Sequence, residues 1–164
     1  MFNSFKRRAP SISIFHHPSS PPSLKALKLL QSANTSPYPA NKSPSAPPLE
    51  YNLEVVESPP TTDQIRTILS YMPSKATSPS MALLSAHPSA GAGETRPQSV
   101  EAIVELARKT PAALKWPIVV DWEDGKAVIG DVEGVKSMLE TLRRKRDGEE
   151  KTGDEVDQPK GWFT

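Results

Sequence analysis

The chain of 164 residues contains no cysteine. That absence excludes disulfides, thiolate metal sites and every catalytic mechanism built on a cysteine, and it says nothing of redox compartment. Aromatic residues are scarce, at 6%, so aliphatic side chains have to build the core. No apolar run approaches the roughly 20 residues that a membrane-spanning helix needs. Acids are missing from one end only. Residues 1–49 hold six of the 20 Lys/Arg residues (Lys6, Arg7, Arg8, Lys25, Lys28, Lys42) and none of the 19 Asp/Glu. The net charge of +1 therefore hides a basic first third and an acidic remainder.

The start, Met1-Phe2-Asn3-Ser4-Phe5-Lys6-Arg7-Arg8-Ala9-Pro10, is basic, serine-containing and acid-free. Residues 1–10 have the composition of a mitochondrial targeting segment, and a short solvated basic terminus has the same composition. A secretory signal is not expected, because no apolar stretch of about 7–15 residues follows it. The far end, residues 147–164, is acidic and aperiodic and is expected to be disordered, with the aromatic ending Gly161-Trp162-Phe163 able to dock back. Nine of the 18 prolines and many serines lie in the loops expected at 33–49 and 73–98.

Between these ends the periodicities alternate. Ser11 to His16 reads as a short strand. Ser20 then suits a helix N-cap and Pro21 the first helical position, with Leu24, Leu27 and Leu30 as a stripe, predicting a helix over 21–32. Tyr51 to Glu57 has period two, a second strand parallel to the first through a right-handed crossover. Thr61 and Gln64 fit a capping box before Ile65, Ile68, Leu69 and Met72. Met81 to Leu84 fits one helical turn. Ser99 caps a helix carrying Val100, Ile103, Val104 and Ala107. Asp131 caps a last helix striped by Val135, Met138, Leu139 and Leu142.

Between those last two helices lies Lys115-Trp116-Pro117-Ile118-Val119-Val120-Asp121-Trp122-Glu123-Asp124-Gly125-Lys126-Ala127-Val128-Ile129-Gly130. A proline has no N–H for a sheet ladder, so Pro117 belongs at the start of a strand. Asp124-Gly125 between two apolar runs predicts a tight hairpin turn. The order is β-α-β, a helical insert, a β-hairpin and a final helix.

Two segments carry a resemblance. Phe15-His16-His17-Pro18-Ser19-Ser20 resembles the aromatic-His-Asn-Pro-x-Cys approach to the first helix of arsenate-reductase-like proteins, with Ser20 at the cysteine position. Trp116-Pro117-Ile118-Val119-Val120 resembles their Arg-Pro-Ile-Val-Val strand, with Trp116 in place of the arginine. Segments Ile14 to Pro21, Pro59 to Gln64 and Val120 to Val128 are also similar, in order, to a family of fungal mitochondrial redox proteins. The resemblance implies an α/β, thioredoxin-like fold over 11–146, with a mixed four-stranded sheet and disordered ends. It implies a cis Pro117 beside a groove, mitochondrial location and oxidoreductase chemistry on thiols or small toxic molecules. It also implies that a cysteine put at Ser20 would be an acidic thiol, stabilised by the helix end.

The residues qualify that activity, because a serine hydroxyl is barely ionised at neutral pH and cannot exchange disulfides. The candidate groove residues are His16, His17, Ser19, Ser20, Trp116 and Pro117. Ser19 and Ser20 fit either an anion site at the helix N-terminus or, for Ser20, a simple cap. His16 and His17 point to opposite faces of a strand and do not make a metal site, and no cofactor is implied. An imidazole beside Ser20 could act as a general base, with nothing in the sequence to orient it. Trp116 and Trp122 fit either a ligand wall or core positions. Arg143 to Arg146 fits a solvated helix end better than a nucleic-acid patch, since acids follow it at once. Two functions stay open: a mitochondrial redox protein lacking the family cysteine, and a non-catalytic module binding a peptide or small ligand.

Overall fold

Strand β1 (Ser11–Phe15) lies in the middle of the sheet because both of its faces are buried. Ile12 and Ile14 point to one side and Ser13 and Phe15 to the other, as period two requires. The structure, a computed structural model, describes residues 9–38, 46–72, 78–91 and 96–148. Nearly all of the expected targeting segment at 1–10 and tail at 147–164 lies outside the described residues.

The remaining elements are α1 (Pro21–Thr35), β2 (Asn52–Val56), α2 (Thr62–Tyr71), α3 (Pro79–Leu83), α4 (Val100–Lys109), β3 (Ile118–Asp121), β4 (Lys126–Ile129) and α5 (Val132–Arg146). The sheet order is β2-β1-β3-β4. β1 pairs parallel with β2 and antiparallel with β3, which pairs antiparallel with β4. This is the expected thioredoxin-like α/β arrangement. Helices α1 and α5 cover the face of Ile12, Ile14 and Val119, while α2, α3 and α4 cover the face of Phe15, Ile118 and Val120.

Local signals set most boundaries. The Thr61 hydroxyl accepts the Gln64 N–H at 3.2 Å while the Gln64 side chain accepts the Thr61 N–H at 2.9 Å, a complete capping box. Ser99 and Asp131 accept first-turn N–H groups in the same way. Buried polar atoms are partnered. The Ser13 hydroxyl accepts the Trp122 indole N–H at 2.8 Å and donates to Glu54 at 3.2 Å. The Tyr51 hydroxyl donates to the Leu30 carbonyl, and burial pushes its pKa up.

Val55 is 40% exposed because β2 is an edge strand. Three expectations are corrected. Helix α1 runs to Thr35, so the loop expected from 33 begins later. Its last turn is held by buried Ala33, whose carbonyl accepts the Leu49 N–H at 2.8 Å. The 73–98 stretch holds more than the helical turn expected at Met81–Leu84, which is present as α3. Ser78 caps α3, Pro88–Ala90 forms a 3-10 turn, and Leu83, Leu84 and Ala90 are fully buried. The hairpin loop has four residues, since Asp121 pairs with Lys126. The Asp121 carboxylate accepts the N–H groups of Glu123 and Asp124, closing that wider loop; burial is the largest influence on it and raises its pKa.

Gly134 sits in the first turn of α5, where it lets the helix approach the sheet. A Cβ there would lie 2.6 Å from Val128 Cγ1. Gly→Ala inside a helix ordinarily stabilises by about 1 kcal/mol. Here Gly134→Ala is expected to destabilise by about 1–3 kcal/mol through overpacking, read by chemical denaturation. Adding Val128→Ala should lessen that penalty, and a stabilised Gly134→Ala single variant would refute the close approach.

Candidate functional site

The site forms where the start of α1 meets the residues ahead of β3. Pro117 follows a cis peptide bond, is buried, and its carbonyl accepts the Gly130 N–H at 2.7 Å. Trp116, one residue earlier, is also buried; its indole N–H donates to the Pro111 carbonyl at 2.8 Å. The Trp116 ring packs on the His17 ring, with centroids 5.3 Å apart and planes tilted by 52°. Trp122 lies elsewhere, edge-on to Tyr71.

Beside that ring pair is a cleft of about 540 Å³. Of the six residues expected from sequence, His17, Ser19, Ser20 and Trp116 line it. His16 and Pro117 do not. His16 continues β1 inward, where it is buried and its Nδ1 lies 2.6 Å from the Ser23 hydroxyl. The Ser23 oxygen also accepts the His17 backbone N–H at 3.0 Å. One serine thus ties down both histidines, an orienting group that the sequence left unidentified.

The opposite wall comes from the 73–98 insert and its partner strand segment. Ser85, His87 and Lys115 line the cleft and were not foreseen. An antiparallel bridge between Leu84 and Leu114 brings them together, with the Ser85 N–H donating to the Ala113 carbonyl at 2.8 Å and the Lys115 N–H to Leu83 at 2.7 Å. No local motif marks such a bridge. Lys115 turns its ammonium to the Met81 carbonyl at 2.9 Å. No group of three or more metal-ligating side chains occurs among the described residues.

The chemistry of the α1 end is set by hydrogen-bond accounting. Ser20 occupies the N-cap position, yet its side chain makes no capping bond. A cap acts on the N–H of the second or third helical residue. The second is Pro22, which has no N–H, and neither has Pro21 before it or Pro18 in the approach; only the third, Ser23, keeps one. The Ser19 N–H donates to His17 Nδ1 at 3.1 Å and the Ser20 N–H to the His17 carbonyl at 3.0 Å. From His16 through Pro22, then, each N–H is either missing or occupied. An oxyanion or thiolate at this helix end would find no backbone donors from that segment, although such donors are what usually makes the end an anion site. Ser20 is the N-cap by position, its carbonyl accepting the Leu24 N–H at 3.0 Å, but without the side-chain bond of a full cap.

The His17 ring is also assigned a role. Accepting from Ser19 on Nδ1 leaves the neutral ring's proton on Nε2, so toward the cleft this imidazole is a donor. No hydrogen bond joins the Ser20 hydroxyl to either imidazole among the described residues. A serine nucleophile activated by histidine is not assembled here. The cleft offers an aromatic wall, side-chain hydroxyls and two histidines, which suits binding.

The family model described as "Protein of unknown function (DUF1687)" matches residues 2–131. The chain belongs to this family. No curated protein matches the chain. Among solved structures, the arsenate reductase from Vibrio cholerae is similar over 79% of this chain and 98% of its own, with a TM-score of 0.53 and 18% identity. The "Putative arsenate reductase from Yersinia pestis" covers the same shares, with a TM-score of 0.47 and 20% identity. At 18% identity the Vibrio likeness establishes the fold of this DUF1687 chain, and the chemistry has to be read from its own residues.

Those residues bear on the expectation that a thiol at position 20 would be acidic, because Pro21 and Pro22 remove two N–H groups from the first turn of α1. Ser20→Cys should alkylate with iodoacetamide at alkaline pH but, at pH 6, react no faster than an ordinary thiol of pKa about 8.5. Restoring two N–H groups with Pro21→Ala and Pro22→Ala in that variant should raise the rate at pH 6. Rapid alkylation at pH 6 by Ser20→Cys alone would show that the prolines do not matter.

Proposed function

We propose that this chain is a mitochondrial, thioredoxin-like member of a redox-protein family acting on small toxic molecules, in which the cleft binds and the thiol step is absent. Three things support the reading. The family resemblance supplies the redox and mitochondrial setting, the acid-free basic start fits import, and the fold is shared with an arsenate reductase. The observation that carries the binding half is the helix end at Ser20: no thiol in the chain, and no vacant N–H from His16 through Pro22. A reduction in this cleft by thiols would need two external thiol groups, which give up two electrons and two protons and leave as one disulfide. The ligand is a peptide or small molecule held between the His17–Trp116 ring pair and the Ser85–His87 wall, with no nucleic acid involved. No helix among the described residues is long and apolar enough to cross a membrane.

Purified protein should leave the reduction of insulin by dithiothreitol at the rate of buffer. Acceleration, with contaminating thioredoxin excluded, would overturn the binding reading in favour of catalysis. The mitochondrial half is tested separately. A fluorescent reporter carrying residues 1–20 should enter mitochondria, and the claim fails if both this reporter and the tagged full-length chain stay cytosolic.

A further inference from the structure

Away from the cleft, α1 and α5 lie side by side and leave a groove of about 360 Å³. Its floor is apolar, from Leu29 and Val132, and its rim carries Lys25, Lys28 and Lys136. Lys136 pairs with Glu133 at 3.1 Å in an exposed i,i+3 pair, which is worth little in water. Lys25 and Lys28 have no ion pair among the described residues. No acid precedes Glu50 in the sequence, so α1 itself has nothing to neutralise them.

The complementary charge is at the other end of the chain. Residues 149–164 hold Glu149, Glu150, Asp154, Glu155 and Asp157 against Lys151 and Lys160. In Asp154-Glu155-Val156-Asp157, acids flank a single valine. The reach fits. The end of α5 at Arg146 leads through Gly148 to this segment, while Lys136 lies ten residues back along the helix. Ten helical residues span about 15 Å. The six residues from Gly148 to Asp154 span about 20 Å when extended. A chain folding back along α5 would therefore bring its acids to the three lysines.

We propose that the acidic segment 154–157 of this chain docks in the α1–α5 groove, its carboxylates on Lys25, Lys28 and Lys136 and Val156 against Leu29 and Val132. The proposal is independent of the cleft's function. It identifies the C-terminal tail as a strap across the helical face of the sheet.

The absence of cysteine makes the test clean, because two introduced thiols are the only sites of spin labelling. In the full-length chain carrying Gln31→Cys and Gln158→Cys, electron–electron distance measurement should show one narrow, short-distance population at low salt. It should broaden at about 1 M salt, where the Debye length falls to about 3 Å. Lys25→Glu with Lys28→Glu should abolish it, and adding Asp154→Lys and Asp157→Lys should restore it by charge reversal. A broad distribution indifferent to salt and to the lysines overturns the proposal. So does a short distance that vanishes when labelled chain is diluted with unlabelled chain, which assigns the groove to a second copy. Loss of binding to phosphatidylglycerol vesicles in the lysine variant, with the tail free throughout, would instead assign the groove to an anionic lipid surface.

Discussion

The structure depends on β1 having no free edge and no free face. It pairs in parallel with β2 and antiparallel with β3, and the helices of both layers pack on its side chains. A strand in that position has to alternate between two cores, and Ile12, Ile14 and Phe15 are all essentially inaccessible to solvent. Its buried polar residue, Ser13, is tolerated because Trp122 and Glu54 complete its hydrogen bonds. Continuing the strand past Phe15 carries His16 inward and releases His17 toward the cleft. The site is thus a consequence of where the central strand ends.

The two prolines that start α1 have opposite effects on structure and chemistry. Pro21 is preorganised for the first helical turn, so it helps to define where the helix begins. The same residues remove the N–H groups with which a helix end holds an anion. The chain therefore shares its fold with an arsenate reductase while having no thiol and two fewer backbone donors in the first turn of α1. Shape and chemistry have separated at this site, because the sheet dictates the first and a few backbone protons dictate the second.

Charge follows the layers in a similar way. The acid-free first third contributes α1, and the cations of its outer face stay without partners on that helix. The cations at the end of α5 are used differently. Arg143 binds Glu140 and Asp147, Lys145 pairs with Asp124, and Arg146 donates to the carbonyls of Tyr38 and Pro47. The run Arg143 to Arg146, ambiguous as a string, is thereby resolved into structural anchors that fasten a loop and a hairpin to the last helix.

The sequence by itself determined whatever depends on residues within a turn of one another. The Thr61–Gln64 capping box, the helical stripes, the proline ahead of β3 and the absence of any thiol were all legible, since each is a local property. Local reading placed the N-cap at Ser20, though not the loss of its side-chain bond, and it shortened α1 because Ala33 gains its burial from Leu49 and Tyr51 far along the chain. Only the tertiary structure decided the site. His16 left it for a bond to Ser23, and Ser85, His87 and Lys115 joined it through the Leu84–Leu114 bridge. Those contacts join segments about 30 residues apart, and neither segment carries a periodicity that names the other. Long-range packing leaves no mark in a short stretch of sequence, so the cleft's second wall became visible only once the insert was folded against it.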